Sequence, residues 1–179
     1  MLSKDQAIRE VHHRVKNNLQ QVGSLLRLQE RHGKYKSLHE ALGDTHSRIL
    51  AIASVHDLLS REDLDHVGLR SIAETLVQHQ VSTFIPPDRA IAFQVRGDDV
   101  HLDMTRATQV ALILNELIQN AVEHGFKKTL EGEVHITVED LPNEVSLWVS
   151  NSGDHLPLGF KLDRDGNLGL QIVNNLAHG

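Results

Sequence analysis

Residues 4–29 read KDQAIREVHHRVKNNLQQVGSLLRLQ, and this stretch decides the first half of the fold. Its apolar residues recur at alternating steps of three and four, which places them on one stripe of a helix. No proline interrupts the stretch, and Gly33 follows its end as a stop signal. The pattern predicts a helix with a stripe formed by Ile8, Val11, Val15, Val22 and Leu25.

A second stripe with the same spacing occupies residues 37–60 and includes Leu38, Leu42, Ile49 and Ile52. Two such helices joined by a short connection predict an αα-hairpin. A lone hairpin cannot bury stripes this wide on both helices. The sequence therefore predicts a homodimer in which two hairpins form a four-helix bundle.

Beyond residue 63 the chain alternates between shorter helices and strands. Segments with helical spacing are residues 69–81, 105–124 and 168–176; segments with strand spacing are residues 90–95, 100–102, 133–139 and 144–150. This order favours a mixed sheet with helices on one face. We therefore predict an α+β chain of two domains, a dimerising helical hairpin over residues 1–63 and an α/β sandwich over residues 64–179.

The composition excludes several classes of protein. The net charge of −6 provides no basic surface for direct nucleic-acid binding. No apolar run is long enough to form a membrane segment, and no signal peptide is visible, so we expect a cytoplasmic protein. The 13 histidines do not combine with carboxylates in a recognisable zinc pattern.

His13 is the candidate nucleophile of the first helix. With Ile8 at heptad position a and Val11 at d, His12 falls at e and His13 at f, which points away from the bundle axis. Neutral imidazole is a competent nucleophile near neutral pH. Asn17 lies one turn later on the same face, and Arg14 can stabilise phosphate charge. A surface histidine on an ordinary coiled coil fits this geometry equally well.

The string His-His-Arg-Val-Lys-Asn-Asn-Leu-Gln at residues 12–20 resembles the H-box of the HisKA-like histidine kinases related to the HWE kinases. The resemblance implies that His13, immediately before Arg14, is the autophosphorylation site. It also implies that Asn17 occupies a position linked to phosphatase activity in other histidine kinases.

A second set of polar residues lies on the long helix predicted over residues 105–124. Glu116 and Asn120 are four residues apart and share one face, and their oxygens are suited to Mg²⁺ and its waters. Downstream, Gly153 follows a predicted strand, and Gly166 and Gly169 open the last helix. Glycines before a helix N-terminus allow backbone N–H groups to approach phosphate.

This order of helix, strands, glycine loop and glycine-started helix resembles the Bergerat, or GHKL, ATP-binding fold. The resemblance implies that the chain binds ATP and Mg²⁺, that Asn120 coordinates the metal, and that Glu116 positions or activates the reacting group. It places His124 near the phosphates, Asn151 and Gly153 in the box on the adenine side, and Gly166 and Gly169 in the box beside the phosphates.

Three features depart from the family pattern. Asn151 stands where an aspartate usually accepts a hydrogen bond from adenine, and His155 replaces a glycine. Glu123 occupies a position that is often basic. The chain ends at Gly179, where the family continues with further strands, so we expect a C-terminally truncated domain.

These resemblances imply a two-component sensor histidine kinase core that autophosphorylates and passes the phosphoryl group to an aspartate of a response-regulator receiver domain. One alternative is a non-catalytic dimeric scaffold or phosphotransfer module with a degenerate nucleotide pocket, which Asn151 and His155 favour. Another is a gyrase-type ATPase in which Glu116 activates water, but that function leaves the H-box unexplained.

Overall fold

The computed structural model describes Lys16, Gln20, residues 22–24, Leu26, Arg27 and residues 37–62, 66–86, 88–156, 158–161 and 166–177. Its elements are α1 Leu38–Glu62, β1 His66–Gly68, α2 Leu69–Phe84, β2 Ala90–Gly97, β3 His101–Asp103, α3 Met104–Gly125, β4 Glu131–Leu141, β5 Glu144–Asn151 and α4 Leu168–Ala177. The predicted order, a helical region followed by a mixed α/β sheet, is confirmed.

The chain divides into two compact units, residues 1–49 and residues 50–179. In the first unit, Lys16, Gln20, residues 22–24, Leu26 and Arg27 have helical conformation. The rest of the first predicted helix lies outside the described residues. The domain boundary between residues 63 and 64 stays a prediction.

Helix α1 begins at a serine cap. The Oγ of Ser37 accepts a hydrogen bond from the backbone N–H of Glu40 at 3.1 Å, which satisfies a donor at the helix start.

The exposure of the predicted apolar stripe changes along α1. Leu38, Leu42 and Ile49 are 76%, 59% and 38% exposed, whereas Ile52 is buried. The first half of α1 therefore presents an uncovered apolar stripe.

The main sheet has three strands in the order β2–β4–β5. Strand β4 is parallel to β2 and antiparallel to β5, so the sheet is mixed as predicted. Alternate residues of β4, namely Val134, Ile136 and Val138, are buried, which identifies the face that carries the core. Phe126 and Ala121 of the segment before β4 pack into this core with Val134.

A second, two-stranded sheet pairs β1 with β3 in antiparallel register, with Val67 opposite Leu102. Strand β3 was predicted one residue earlier in the chain. Strand β1 was not predicted. The backbone N–H of Leu69 donates to the carbonyl of Val100 at 2.8 Å and ties the start of α2 to this sheet.

Helix α3 is the central element of the second unit. Asp103 caps its N-terminus by accepting hydrogen bonds from the backbone N–H groups of Thr105 and Arg106 at 2.9 and 3.1 Å. Helices α2 and α4 both pack against α3. Polar residues of α3 can therefore contact both of these helices.

None of the helices that the structure describes combines the length and the apolar character needed to cross a bilayer.

Candidate functional site

His13, Arg14 and Asn17 lie outside the described residues, so their exposure and roles stay predictions. Two later residues at the same heptad position are described by the structure. Gln20 and Arg27 occupy position f in the register that places His13 there, and both are helical and exposed. Exposure does not distinguish position f from the other positions, because Lys16, Ser24 and Leu26 are exposed as well.

Glu116 is held on α3 in a buried chain of polar groups that begins on α2. The Nε2 of Gln80 donates to the Oδ1 of Asn115 at 3.1 Å, and the Nδ2 of Asn115 lies 3.5 Å from the Oε1 of Glu116. Gln80, Asn115 and Glu116 are only 2%, 2% and 4% exposed. Burial and this contact restrict the positions that the carboxylate of Glu116 can take.

The start of α4 lies directly against this face of α3. The Nδ2 of Asn167 donates to the Oδ1 of Asn120 at 3.0 Å, while the Oδ1 of Asn167 accepts from the backbone N–H of Leu170 at 2.9 Å. A Cβ added to Gly169 would overlap the Oε2 of Glu116. The structure thus brings Glu116, Asn120 and Gly169 together at a helix N-terminus, the kind of site that favours anions.

The loop after β5 lies against the C-terminal end of α3. A Cβ on Gly153 would overlap the backbone carbonyl of Gly125, and a Cβ on Gly125 would overlap the side-chain amide of Asn151. Both glycines are therefore required by close packing, and they hold Asn151 and Gly153 beside the helix that carries Glu116 and Asn120.

Asp154 fixes this loop in place. Its backbone N–H donates to the carbonyl of Gly125 at 2.5 Å, and its carboxylate accepts from the backbone N–H of Lys128 at 2.9 Å and the hydroxyl of Thr129 at 3.2 Å. The hydrogen bond from the Lys128 N–H lowers the pKa of the Asp154 carboxyl, assisted by Thr129 and by the charge of Lys128, although desolvation opposes the shift.

We expect Asp154→Asn to lower the thermal stability of the chain at pH 7 and to have a smaller effect at pH 3. A carboxyl whose pKa is lower in the folded state contributes stability above its unfolded pKa, about 3.9, and loses it as the pH falls through the folded pKa. Melting curves at the two pH values measure the change. Asp88→Asn, in the exposed turn before β2, is the matched control. A deficit of equal size at both pH values would contradict the role of the carboxylate.

The remaining predicted residues lie at the borders of this region. His124 is an exposed residue in the last turn of α3, and Gly166 directly precedes the capping residue of α4. Glu123, which departs from the family pattern, accepts a hydrogen bond from the Nε2 of Gln119 at 2.9 Å. Within the described ranges, part of the negative charge of Glu123 is thus engaged on its own helix.

The residues present fit a magnesium nucleotide. Asn120 and Glu116 offer the oxygen donors that Mg²⁺ prefers. In the part of the chain that the structure describes, the Nδ2 of Asn120 is buried without a hydrogen-bond partner. The oxygen of the same amide faces the start of α4, so the oxygen is the atom of Asn120 that is suited to a cation.

Four residues of the region were not singled out from the sequence: Gln80, Asn115, Asp154 and Asn167. Asn167 could have been found, because an asparagine before an apolar helix is a recognised capping signal. The other three act through contacts between distant segments, which local patterns do not reveal.

Two family models match consecutive parts of the chain. Residues 10–84 match the family HisKA_2, described as Histidine kinase. Residues 86–178 match the family HATPase_c_2, described as Histidine kinase-like ATPase domain.

Individual relatives agree with these matches. The chain is 41% identical over 99% of its length to the sensor histidine kinase PdtaS of Mycolicibacterium smegmatis, of which it covers 36%. It is 25% identical over 98% of its length to blue-light-activated histidine kinase 2 of Erythrobacter litoralis, of which it covers 51%. The chain thus spans between a third and a half of the length of these relatives.

A solved structure shows the same fold. The histidine kinase domain of a blue-light activated histidine kinase from Erythrobacter litoralis aligns with a TM-score of 0.72 at 22% identity. The alignment covers 95% of this chain and 81% of that domain. At this identity the likeness concerns the fold alone.

Proposed function

Since the chain belongs to the histidine kinase family, we propose that it forms a sensor kinase core that transfers a phosphoryl group from ATP to His13. The observation that carries the proposal is the convergence of Glu116, Asn120 and the start of α4, because it joins a carboxylate, an amide and a helix N-terminus in one place. That combination suits the binding of a triphosphate with its metal ion.

Each group in this region has a distinct task. Bound Mg²⁺ neutralises phosphate charge, and Asn120 is the ligand that holds it. The backbone N–H groups at the start of α4 bind phosphate oxygens. Glu116 is the candidate to orient the reacting imidazole or to receive its proton. Catalysis then consists mainly of positioning and electrostatic stabilisation, as in phosphoryl transfer generally.

The transfer itself involves two bonds. The imidazole nitrogen of His13 forms a bond to the γ-phosphorus as the bond to the β,γ-bridging oxygen breaks, and ADP leaves. Arg14, which follows His13 in the sequence, is proposed to stabilise the charge of the phosphoryl group, and Asn17 is proposed to position a water for its hydrolysis. The phosphoramidate then donates to a receiver-domain aspartate of a response regulator, which completes the two-component reaction.

Homodimerisation through the helical hairpin is part of the proposal. Leu38, Leu42 and Ile49 are exposed on one stripe of α1. Contiguous exposed apolar residues mark an interaction surface, and a second copy of the same stripe is a suitable cover. The dimer places two acceptor histidines in one four-helix bundle.

A non-catalytic scaffold is the second candidate, and Asn151 favours it. An amide in place of the usual aspartate makes a neutral rather than charge-assisted contact to adenine, a loss of roughly 1 kcal/mol or less. A loss of this size still permits the binding of ATP.

Equilibrium binding of ATP in the presence of Mg²⁺ separates the two candidates. We expect the chain to bind, and we expect Asn120→Ala to weaken binding roughly ten- to a hundredfold, since even a hydrogen bond to a charged group contributes about 1.5–3 kcal/mol. Asn174→Ala, an exposed asparagine of α4, is the matched control. Isothermal titration calorimetry gives both affinities. A chain that binds no ATP would support the scaffold.

A further inference from the structure

Asn120 carries two side-chain atoms of opposite hydrogen-bonding character, and only its oxygen is a metal ligand. The amide of an asparagine can turn by half a rotation at little steric cost, which exchanges the oxygen and the nitrogen. A group that fixes the orientation of this amide therefore controls whether the metal ligand is available.

The hydrogen bonds around Asn167 determine that orientation by elimination. The backbone N–H of Leu170 can only donate, so the atom of Asn167 that faces it, at 2.9 Å, is the oxygen. The other atom of the Asn167 amide is therefore the nitrogen, which can only donate. Its partner on Asn120, at 3.0 Å, must be the oxygen.

The nitrogen of Asn120 has no competing anchor. Among the described residues, its Nδ2 is buried without a hydrogen-bond partner, so the bond from Asn167 alone selects the orientation of the amide. The selected orientation turns the oxygen of Asn120 toward the N-terminus of α4. A carbonyl oxygen has two lone pairs, so it can accept from Asn167 and still bind a cation.

We propose that Asn167 is a positioning residue for the metal site, which orients the amide of Asn120 so that its oxygen faces the magnesium ion of the nucleotide. This inference rests on the proposed function. Because the second atom of the Asn167 amide caps α4, the orientation of Asn120 depends on the N-terminus of that helix being formed. Asn167 thus couples the start of α4 to magnesium binding.

Asn167→Ser separates the two roles of the side chain. Serine is as good an N-cap as asparagine, so the hydrogen bond to Leu170 is kept, but serine has no second group that reaches Asn120. The binding of a non-hydrolysable β,γ-imido analogue of ATP is measured by calorimetry in Mg²⁺ and in EDTA. The readout is the ratio of the two affinities, together with the melting temperature without nucleotide.

We expect Mg²⁺ to strengthen analogue binding to the unaltered chain, and we expect Asn167→Ser to reduce that enhancement about fivefold, the equivalent of one net hydrogen bond. The affinity in EDTA and the melting temperature should change little. Asn167→Thr, another capping residue, should behave in the same way. Asn174→Ser, the same substitution at an exposed position of α4, should leave the ratio unchanged.

A double-substitution cycle tests whether Asn167 acts through Asn120. In the Asn120→Ala background, Asn167→Ser should have no further effect on the ratio. The positioning role would be overturned, with the proposed function intact, if the effects of Asn120→Ala and Asn167→Ser on the ratio were additive. It would also be overturned if Mg²⁺ strengthened analogue binding to Asn167→Ser and Asn167→Thr as much as to the unaltered chain. If the unaltered chain binds the analogue in neither buffer, the proposed function fails and this inference fails with it.

Discussion

Replacing His13 by alanine is expected to abolish the incorporation of phosphate from ATP into the chain. The imidazole of His13 is the proposed nucleophile, and alanine offers no group that can form a bond to phosphorus. His12 precedes it but falls at heptad position e, beside the bundle seam, whereas position f faces outward. The measurement is the amount of γ-labelled phosphate bound to the chain after incubation with ATP and Mg²⁺.

Two comparisons make this result specific. His12→Ala should retain labelling, because it removes the neighbouring imidazole and leaves the acceptor. The affinity of His13→Ala for ATP should equal that of the unaltered chain, because the proposed nucleotide-binding groups lie on α3 and α4. If labelling survived in His13→Ala but disappeared in His12→Ala, the acceptor would be His12. That result would refute the assignment of the acceptor to heptad position f.

Gly169→Ala is expected to slow autophosphorylation about a hundredfold, the cost of displacing a catalytic group by about 1 Å. A Cβ at residue 169 would overlap the Oε2 of Glu116. This oxygen is the end of a flexible side chain, so the fold can accept the methyl group by moving the carboxylate. The melting temperature should therefore change little, while the initial rate of labelling falls.

Gly43→Ala is the matched control for this substitution. Gly43 is also helical, and a Cβ at that position would meet no atom within 4 Å. We expect it to leave the rate of labelling unchanged and to favour the helix, because alanine is the better helix former by about 1 kcal/mol. A Gly169→Ala chain that labels at the rate of Gly43→Ala would show that the position of Glu116 is not critical.

Local patterns were sufficient to predict the long elements. Helix α3 was predicted over residues 105–124 from its regular apolar spacing, and it spans Met104–Gly125. Strands β4 and β5 were predicted over residues 133–139 and 144–150 from their alternation, and they pair in antiparallel register. The short strand β1 escaped prediction, since its partner β3 lies more than thirty residues away in the chain.

The candidate site was predictable only along a single helix. The spacing of Glu116 and Asn120 places both on one face of α3, as the periodicity of a helix requires. Contacts between elements were not predictable in this way. The bond from Asn167 to Asn120, the approach of Gly169 to Glu116 and the bond from Gln80 to Asn115 all depend on how α2 and α4 pack against α3.

The chemical stability of the bound phosphoryl group tests the central claim most directly. The unaltered chain is incubated with γ-labelled ATP and Mg²⁺, denatured, and divided between acid and alkali. A phosphoramidate on histidine is lost in acid and kept in alkali, and this is the result that the account predicts. A chain that binds ATP but carries no label, or carries a label that survives acid as a serine or threonine ester does, would contradict it.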